Sequence, residues 1–369
     1  MLKVLLQQSL VDVNGITRRG SSLLHLAAEI GDESRVMFLL SMQAAVDVLN
    51  TNGETPLHWA CSLGHLAVVR ALVQHGANVM LHDSVQGLTP LHASCGSRGH
   101  PGVVALLIQR CEQIGWNNKP QRCNLFDGAR NTPLHTCARL APNVAKYIPL
   151  LLEHGADPTL INARGQTVLH LLAERAVREQ QDALAHASDA PASVDQHTDD
   201  HGGLRVVTAN APATRLVELF SGHQLLLDSQ EFEAGNTALH HAAFGGCVEL
   251  AAQLVSLGAS VGLPNKDGFT PLDSPYRSSD DPGASMSSIL LSRITKPSSW
   301  IPDRMVSSCQ NCKLPFNKAD PKMARKHHCR HCGRCVCADC SPRRMQIQKF
   351  MDSNKEERVC LLCDRVLSA

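Results

Sequence analysis

Thr55-Pro56-Leu57-His58 is one of seven related tetrapeptides spread along a chain of 369 residues. The others are Ser22-Leu23-Leu24-His25, Thr89-Pro90-Leu91-His92, Thr132-Pro133-Leu134-His135, Thr167-Val168-Leu169-His170, Thr237-Ala238-Leu239-His240 and Thr270-Pro271-Leu272-Asp273. Their first residues step by 33, 34, 43, 35, 70 and 33 positions. A period near 33 means that one supersecondary unit is being repeated. Thr or Ser caps a first helix, and Pro is tolerated in its first turn. In Leu57-His58-Trp59-Ala60 and Val68-Val69-Arg70-Ala71-Leu72-Val73 the apolar residues return at helical spacing, so each unit reads as a pair of short helices. Gly53, Gly87, Gly128, Gly165, Gly235 and Gly268 stand before the tetrapeptides, where a tight turn needs a residue without a Cβ. No unit can bury its apolar face alone; stacking makes the core continuous.

Composition agrees with this. Apolar residues make up 43% and aromatics only 4%, which fits stacked short helices better than an aromatic-rich sandwich. The sequence shows no apolar run near 18 residues and no lipidation motif, so a soluble chain with peripheral membrane contact is expected. Two of the long steps predict insertions, one around Cys111–Arg130 and one at Ala187–Ala213. The second is rich in Asp, Ser, Ala and Gly and splits one repeat into a first helix near Thr167–His186 and a second near Thr214–Phe220. Met1–Leu10 reads as the second helix of a repeat whose first helix is missing, and a piece of a longer array is expected.

The last 70 residues are different. Of 15 cysteines, nine lie between Cys309 and Cys363, eight of them in the pairs Cys309/Cys312, Cys329/Cys332, Cys337/Cys340 and Cys360/Cys363. Eight thiols at this spacing suit two tetrahedral Cys₄ zinc sites, and the segregation argues for a reducing compartment. Residues 300–369 carry 14 Lys+Arg and 7 Asp+Glu, against 21 and 27 in the rest, so the basic end points to an anionic partner. The run Arg325-Lys326-His327-His328-Cys329-Arg330 puts donors beside the metal-ligating pairs.

The period, the T-P-L-H tetrapeptide and the recurring glycines resemble the ankyrin repeat over residues 1–294. Three segments of the tail resemble the FYVE domain, a zinc module that reads phosphatidylinositol 3-phosphate. They are Trp300-Ile301-Pro302-Asp303, Arg325 through Arg330, and Arg358-Val359-Cys360. The expected architecture is therefore an α-helical ankyrin-repeat solenoid over 1–294, a linker at 295–299, and a small zinc-stabilised α+β FYVE-type cross-brace domain over 300–369. The array holds about seven repeats, the first truncated. The resemblance implies a cross-brace in which Cys309, Cys312, Cys337 and Cys340 hold one Zn²⁺ and Cys329, Cys332, Cys360 and Cys363 the other, with Cys335 unligated. It implies lipid-binding roles for Trp300, Asp303, Arg325, Lys326, His327, His328, Arg330 and Arg358, and membrane insertion by Met323.

Ankyrin repeats followed by a FYVE module resemble the rabankyrin group of endosomal adaptors. This implies a non-enzymatic, cytoplasmic protein, peripheral on the early endosome membrane, acting in endocytic traffic. Its repeats would recruit protein partners, among them an early-endosomal Rab GTPase, and a homodimer would strengthen binding. No Gly-Lys-Ser/Thr phosphate loop, H-E-x-x-H or G-x-S-x-G motif is present, and ten of the 19 histidines fall on repeat positions with a structural role. A RING-like ubiquitin ligase and a nucleic-acid-binding zinc protein are the alternatives. All eight candidate ligands being Cys argues against the first, and the acidic array against the second.

Overall fold

The computed structural model describes residues 12–96, 98–113, 123–188, 216–220, 224–276, 285–295, 300–317, 320, 323, 325–347 and 356–368. Met1–Leu10, all but the first two residues of Ala187–Ala213, the middle of the Cys111–Arg130 insertion and the linker from residue 296 lie outside them. The chain forms two compact units that divide between Ala163 and Arg164.

Among the described residues the first unit stacks four helix pairs: α1 Leu23–Ile30 with α2 Glu33–Ser41, α3 Pro56–Ser62 with α4 Leu66–Gln74, α5 Pro90–Ser94 with α6 Pro101–Gln113, and α7 Pro133–Leu140 with α8 Val144–Glu153. The tetrapeptide explains each inner helix. Thr55 Oγ1 accepts the His58 N–H (3.3 Å), and the Thr55 N–H donates to His58 Nδ1 (3.1 Å), closing a capping box. Nδ1 is thus an acceptor, so Nε2 carries the proton, and it donates to the Leu88 carbonyl of the next repeat (3.0 Å). His25 reaches Glu54 O (3.0 Å) and His92 reaches Asn131 O (3.1 Å) in the same way. Each imidazole therefore caps its own helix and fastens the following repeat.

A second ladder joins the turn tips. Thr51 N–H donates to Arg19 O, Ser84 to Asn52 O, Gly128 to Gln86 O and Ala163 to Ala129 O, at 2.7–3.1 Å. Gly53 shows why the tips need glycine. Its φ is +73°, and a Cβ would sit 2.1 Å from Ser84 Oγ.

The second unit continues the pattern. Its first inner helix, α9, runs Val168–Ser188, two residues beyond the expected end. Its partner is a 3₁₀ turn at Val217–Phe220 followed by α10, Gln224–Leu227, in place of the single helix expected near Thr214–Phe220. Next come α11 Ala238–Phe244 and α12 Val248–Ser256. His170 and His240 bond to Asn236 O and Phe269 O, both at 3.1 Å. In the last repeat the inner helix shrinks to a 3₁₀ turn, Pro271–Asp273. Pro275 disfavours helix at Ser274, whose backbone is extended (φ −56°, ψ 133°). The outer helix is α13, Met286–Arg293.

The tail forms two minimal antiparallel hairpins and a helix. β1 His327–His328 pairs with β2 Cys335–Val336, β3 Arg344–Met345 pairs with β4 Glu357–Arg358, and α14 spans Leu361–Ser368. Its apolar core is Ile301, Val306 and Cys335 with Phe316 against them. Among the described residues no helix is long and apolar enough to cross a membrane.

Burial outweighs neighbouring carbonyls and carboxylates and pushes the His92 and His240 imidazoles down to about 4. An unfolded imidazole titrates near 6.5. Between these values the unfolded chain binds protons that the folded chain refuses. Stability is therefore complete above about pH 7 and falls on acidification toward pH 4, by about 3 kcal/mol per buried imidazole. Denaturant midpoints measured from pH 7 to pH 5 should fall in the wild-type chain. His92→Gln should start lower at pH 7 and show a shallower slope.

Candidate functional site

The hairpins bring four cysteine pairs into two tetrads. The Sγ atoms of Cys309, Cys312, Cys337 and Cys340 all lie within 4.8 Å of one another, as do those of Cys329, Cys332, Cys360 and Cys363. First and third pairs share one site, second and fourth the other, which is a cross-brace. The donor set fits zinc. A Zn–S bond of about 2.3 Å makes each edge of an S₄ tetrahedron about 3.8 Å. Cys312–Cys337 and Cys332–Cys360 are separated by 3.9 and 3.8 Å. Thiolates also need outer hydrogen bonds, and these are in place. Cys337 N–H donates to Cys309 Sγ (3.4 Å), Cys360 N–H to Cys329 Sγ (3.2 Å) and Asn311 Nδ2 to Cys340 Sγ (3.3 Å).

Each tetrad holds at least one thiol shifted toward the thiolate, Cys309 in the first and Cys329 and Cys360 in the second. Burial raises Cys309, but N–H groups of Cys312, Cys337 and Asn311 outweigh it and bring the thiol to about 7. Donation from Cys332, Cys360 and Cys363 holds Cys329 well below the ordinary thiol range. Cys335 behaves differently. Burial, with Asp303 adding to it, pushes its thiol up to about 12, and it packs in the apolar core as a neutral side chain. Zinc bound at the two tetrads supplies cross-links that the small core cannot, and the chain's own hairpins hold the ligands in register.

The basic run occupies β1 and its flanks. Trp300, half exposed, is stacked by His328 (centroids 5.1 Å apart, planes 4° apart), and the Arg330 guanidinium carbon lies 4.2 Å from the same ring's centroid. His328 Nε2 is 2.9 Å from Ile301 O and 3.3 Å from Asp303 Oδ1. Arg330 pairs with Glu357 (3.1 Å), and its N–H donates to Arg358 O (3.0 Å). Arg358 Nη1 donates to Ser341 O (2.7 Å). Burial and then the charges of Arg358, Arg325, His328 and Arg344 keep His327 below the usual imidazole value. A half-buried ring among three arginines defines an anion-attracting face.

The structure rearranges part of the expected set. Trp300, Asp303, His328 and Arg330 contact one another, and Arg325 and Arg358 lie near His327. Lys326 serves the fold. Its Nζ donates to Asp303 O (2.5 Å) and Val306 O (2.6 Å) and lies over the Phe316 ring. Met323, expected to insert into a membrane, is buried at 8% exposure, and its N–H is tied to Asp320 O (3.0 Å). Sequence reasoning missed Arg344, which stands opposite Arg358 in the β3–β4 pairing. The Arg343-Arg344 dipeptide was the available signal. Among the described residues two other groups of metal-capable side chains occur: Asp303, His328 and Cys335, which belong to the site above, and Glu174, Glu231 and His241, where Gln166 Nε2 donates to both glutamates (2.6 and 3.3 Å).

Comparison with known proteins matches this geometry. The model for ankyrin repeats in three copies fits residues 1–83 and 24–118, a single ankyrin repeat fits 234–266, and the FYVE zinc finger fits 299–369. The chain carries ankyrin repeats and a FYVE zinc finger. It takes two zinc ions at the two tetrads. It is similar to Rabankyrin-5 of Mus musculus and of Homo sapiens, 27% identical in each case over 95% of this chain and 34% of theirs. The chain thus spans about a third of those relatives. FYVE, RhoGEF and PH domain-containing protein 2 of Mus musculus is 47% identical over 64 residues, 17% of this chain and 9% of that one. The crystal structure of the ankyrin repeat domain of Bcl-3 shares the fold, with a TM-score of 0.51 at 24% identity, over 74% of this chain and 99% of that one.

Metal analysis should find two zinc ions per chain. Cys329→Ser should reduce this to one or fewer, while Cys335→Ala should keep both. Chelation should unfold the tail, because structural zinc contributes about 10–16 kcal/mol per site in small finger domains.

Proposed function

We propose that this chain is a non-enzymatic adaptor that reads phosphatidylinositol 3-phosphate on endosomal membranes with its FYVE finger and recruits protein partners with its ankyrin repeats. The observation that carries the reading is the convergence of Arg325, Arg344 and Arg358 on His327, beside the Trp300, His328 and Arg330 stack. A phosphate monoester presents several anionic oxygens, and arginines from separate segments can meet it from several sides. Arg325 precedes β1 and Arg358 ends β4, so the two cysteine tetrads fix the distance between them. Asp303, next to His328, is placed to accept from inositol hydroxyls. Lys326 contributes by bracing the Asp303 segment rather than by meeting the ligand.

Membrane affinity in this reading comes chiefly from the basic face. Insertion of Met323 would first require withdrawing it from its packing, at a cost of about 1.5–3 kcal/mol of apolar burial. Paired copies would raise the avidity of a weak monovalent reader, and homodimerisation belongs to the proposal. So does a Rab GTPase as a partner of the repeats, as the name of the Rabankyrin-5 relatives suggests. Location on the cytoplasmic side of early endosomes follows from the lipid.

Vesicle co-sedimentation of the zinc-loaded chain tests the lipid reading. Vesicles carrying phosphatidylinositol 3-phosphate should pellet the protein in preference to those carrying the 4-phosphate, the 5-phosphate or phosphatidylserine. Arg330→Ala and Arg344→Ala should each weaken pelleting about tenfold or more, the worth of one charge-assisted hydrogen bond. Equal pelleting with every anionic lipid would sink the specific reading. Duplex DNA binding with steep salt dependence, or self-ubiquitination with E1 and E2 enzymes, would favour the two rival zinc-protein functions.

A further inference from the structure

Gly262 follows the outer helix α12, and its backbone lies outside the left-handed region, so no turn geometry demands glycine there. Space does. A Cβ at this position would lie 2.8 Å from Cys332 O, 3.1 Å from Arg334 N and 3.1 Å from Ile301 Cδ1, all in the zinc finger. The contact is specific. Buried Gln310 of the finger donates Nε2 to Gly262 O (2.9 Å), while its Oε1 accepts the Cys335 N–H (2.7 Å). Helix α13 of the last repeat packs against α14 of the finger.

At the centre of this interface stands the one departure from the tetrapeptide's histidine. Asp273 Oδ2 accepts both the N–H and the hydroxyl of Thr270 (2.8 Å each), so the carboxylate caps its own turn as the histidines do. It also reaches across to the finger. Oδ1 pairs with Arg334 Nη2 (3.0 Å) and Oδ2 with Lys313 Nζ (2.9 Å). Arg334 is 1% exposed, the largest fully buried side chain in the described structure. Its Nη2 also donates to Gln310 O, and its Nε and Nη1 find no acceptor among the described residues. A buried guanidinium needs an anion, and here Asp273 is that anion. Lys313 also lies over the Phe269 ring, 5.6 Å from its centroid. Burial raises the Asp273 carboxyl, but Arg334, Thr270 and Lys313 outweigh it and hold the group below its ordinary value.

We propose that the zinc finger is the capping element of the repeat array, covering the end of its last repeat and held there by Asp273 through Arg334 and Lys313. Solenoids need a terminal cap because an end repeat leaves one face unstacked. His25, His58, His92, His170 and His240 each reach to a following turn; the aspartate reaches to the finger. Zinc loading then controls the order of the last repeat as well as of the finger. The finger's basic face is presented at a fixed angle to α12 and α13 instead of swinging on a linker. This holds whichever anion the basic face takes.

Hydrogen exchange on the whole zinc-loaded chain, before and after chelation, tests the cap. Chelation is expected to speed exchange about tenfold or more in α12 and α13, in addition to the finger. Asp273→His restores the usual tetrapeptide and keeps the turn capped, but strips Arg334 of its anion. Gly262→Ala forces the finger away by volume alone. Both variants should bind two zinc ions and yet exchange α13 amides as fast as the chelated wild type. The swap Asp273→Arg with Arg334→Asp should regain part of the protection lost in the single changes. Chelation that accelerates only the amides of residues 300–369 would overturn the proposal. So would wild-type protection of α13 in both single variants. If a variant loses zinc, the wild-type chelation comparison decides alone.

Discussion

A neutral, buried imidazole with both nitrogens occupied is the interaction on which the array depends. Nδ1 closes the cap of its own helix, and Nε2–H reaches the next repeat. The first bond is local and the second is between neighbours, so one side chain performs both jobs that a stack of marginal units requires. The backbone ladder between turn tips runs in parallel with it. Neither bond could be met by water in the interior, and the imidazoles are held neutral by the same burial that makes the bonds valuable.

The finger solves a different problem. Among the described residues its strands are two residues long, and its apolar cluster joins Ile301, Val306 and Cys335 with Phe316 leaning on them. Such a core cannot hold a chain of this length. The metal tetrads supply the missing constraint, and they do so at residues adjoining the basic ones. Arg330 follows Cys329, and Arg358 precedes Cys360 by two positions. Ligand geometry is therefore transmitted to the arginines through one or two peptide units, with little room for them to drift.

The repeat pattern and the zinc pairs were legible in the sequence because each is carried by spacing along the chain. Thr-Pro-Leu-His sets a helix start every 33 or so residues, and Cys-x-x-Cys sets a ligand pair within four. What the sequence did not display was recognition between distant charges. Asp273 stands where the other tetrapeptides have histidine, and nothing in its spacing shows that it meets a guanidinium 61 residues further on. Arg334 sat among zinc ligands and basic residues and was indistinguishable from a solvated charge. Within R-K-H-H-C-R the motif treats its members alike, while the fold sends Lys326 to carbonyls of its own chain and leaves Arg325 outward. Met323 was read as insertable from its side chain alone, and it is packed away. Arg344 matters only because β3 pairs with β4, a register set by tertiary structure.

Seven of the eight ligand cysteines are buried and one, Cys312, is exposed. The two tetrads thus differ in solvent access although both are all-cysteine. An oxidant or a competing thiol meets the first tetrad at Cys312, whereas the second offers no sulfur to attack without prior opening. The finger accordingly has an order of disassembly written into its exposure. The centre built on Cys309, Cys312, Cys337 and Cys340 is first to yield under oxidative load, while the one beside Arg330 and Arg358 keeps its shape.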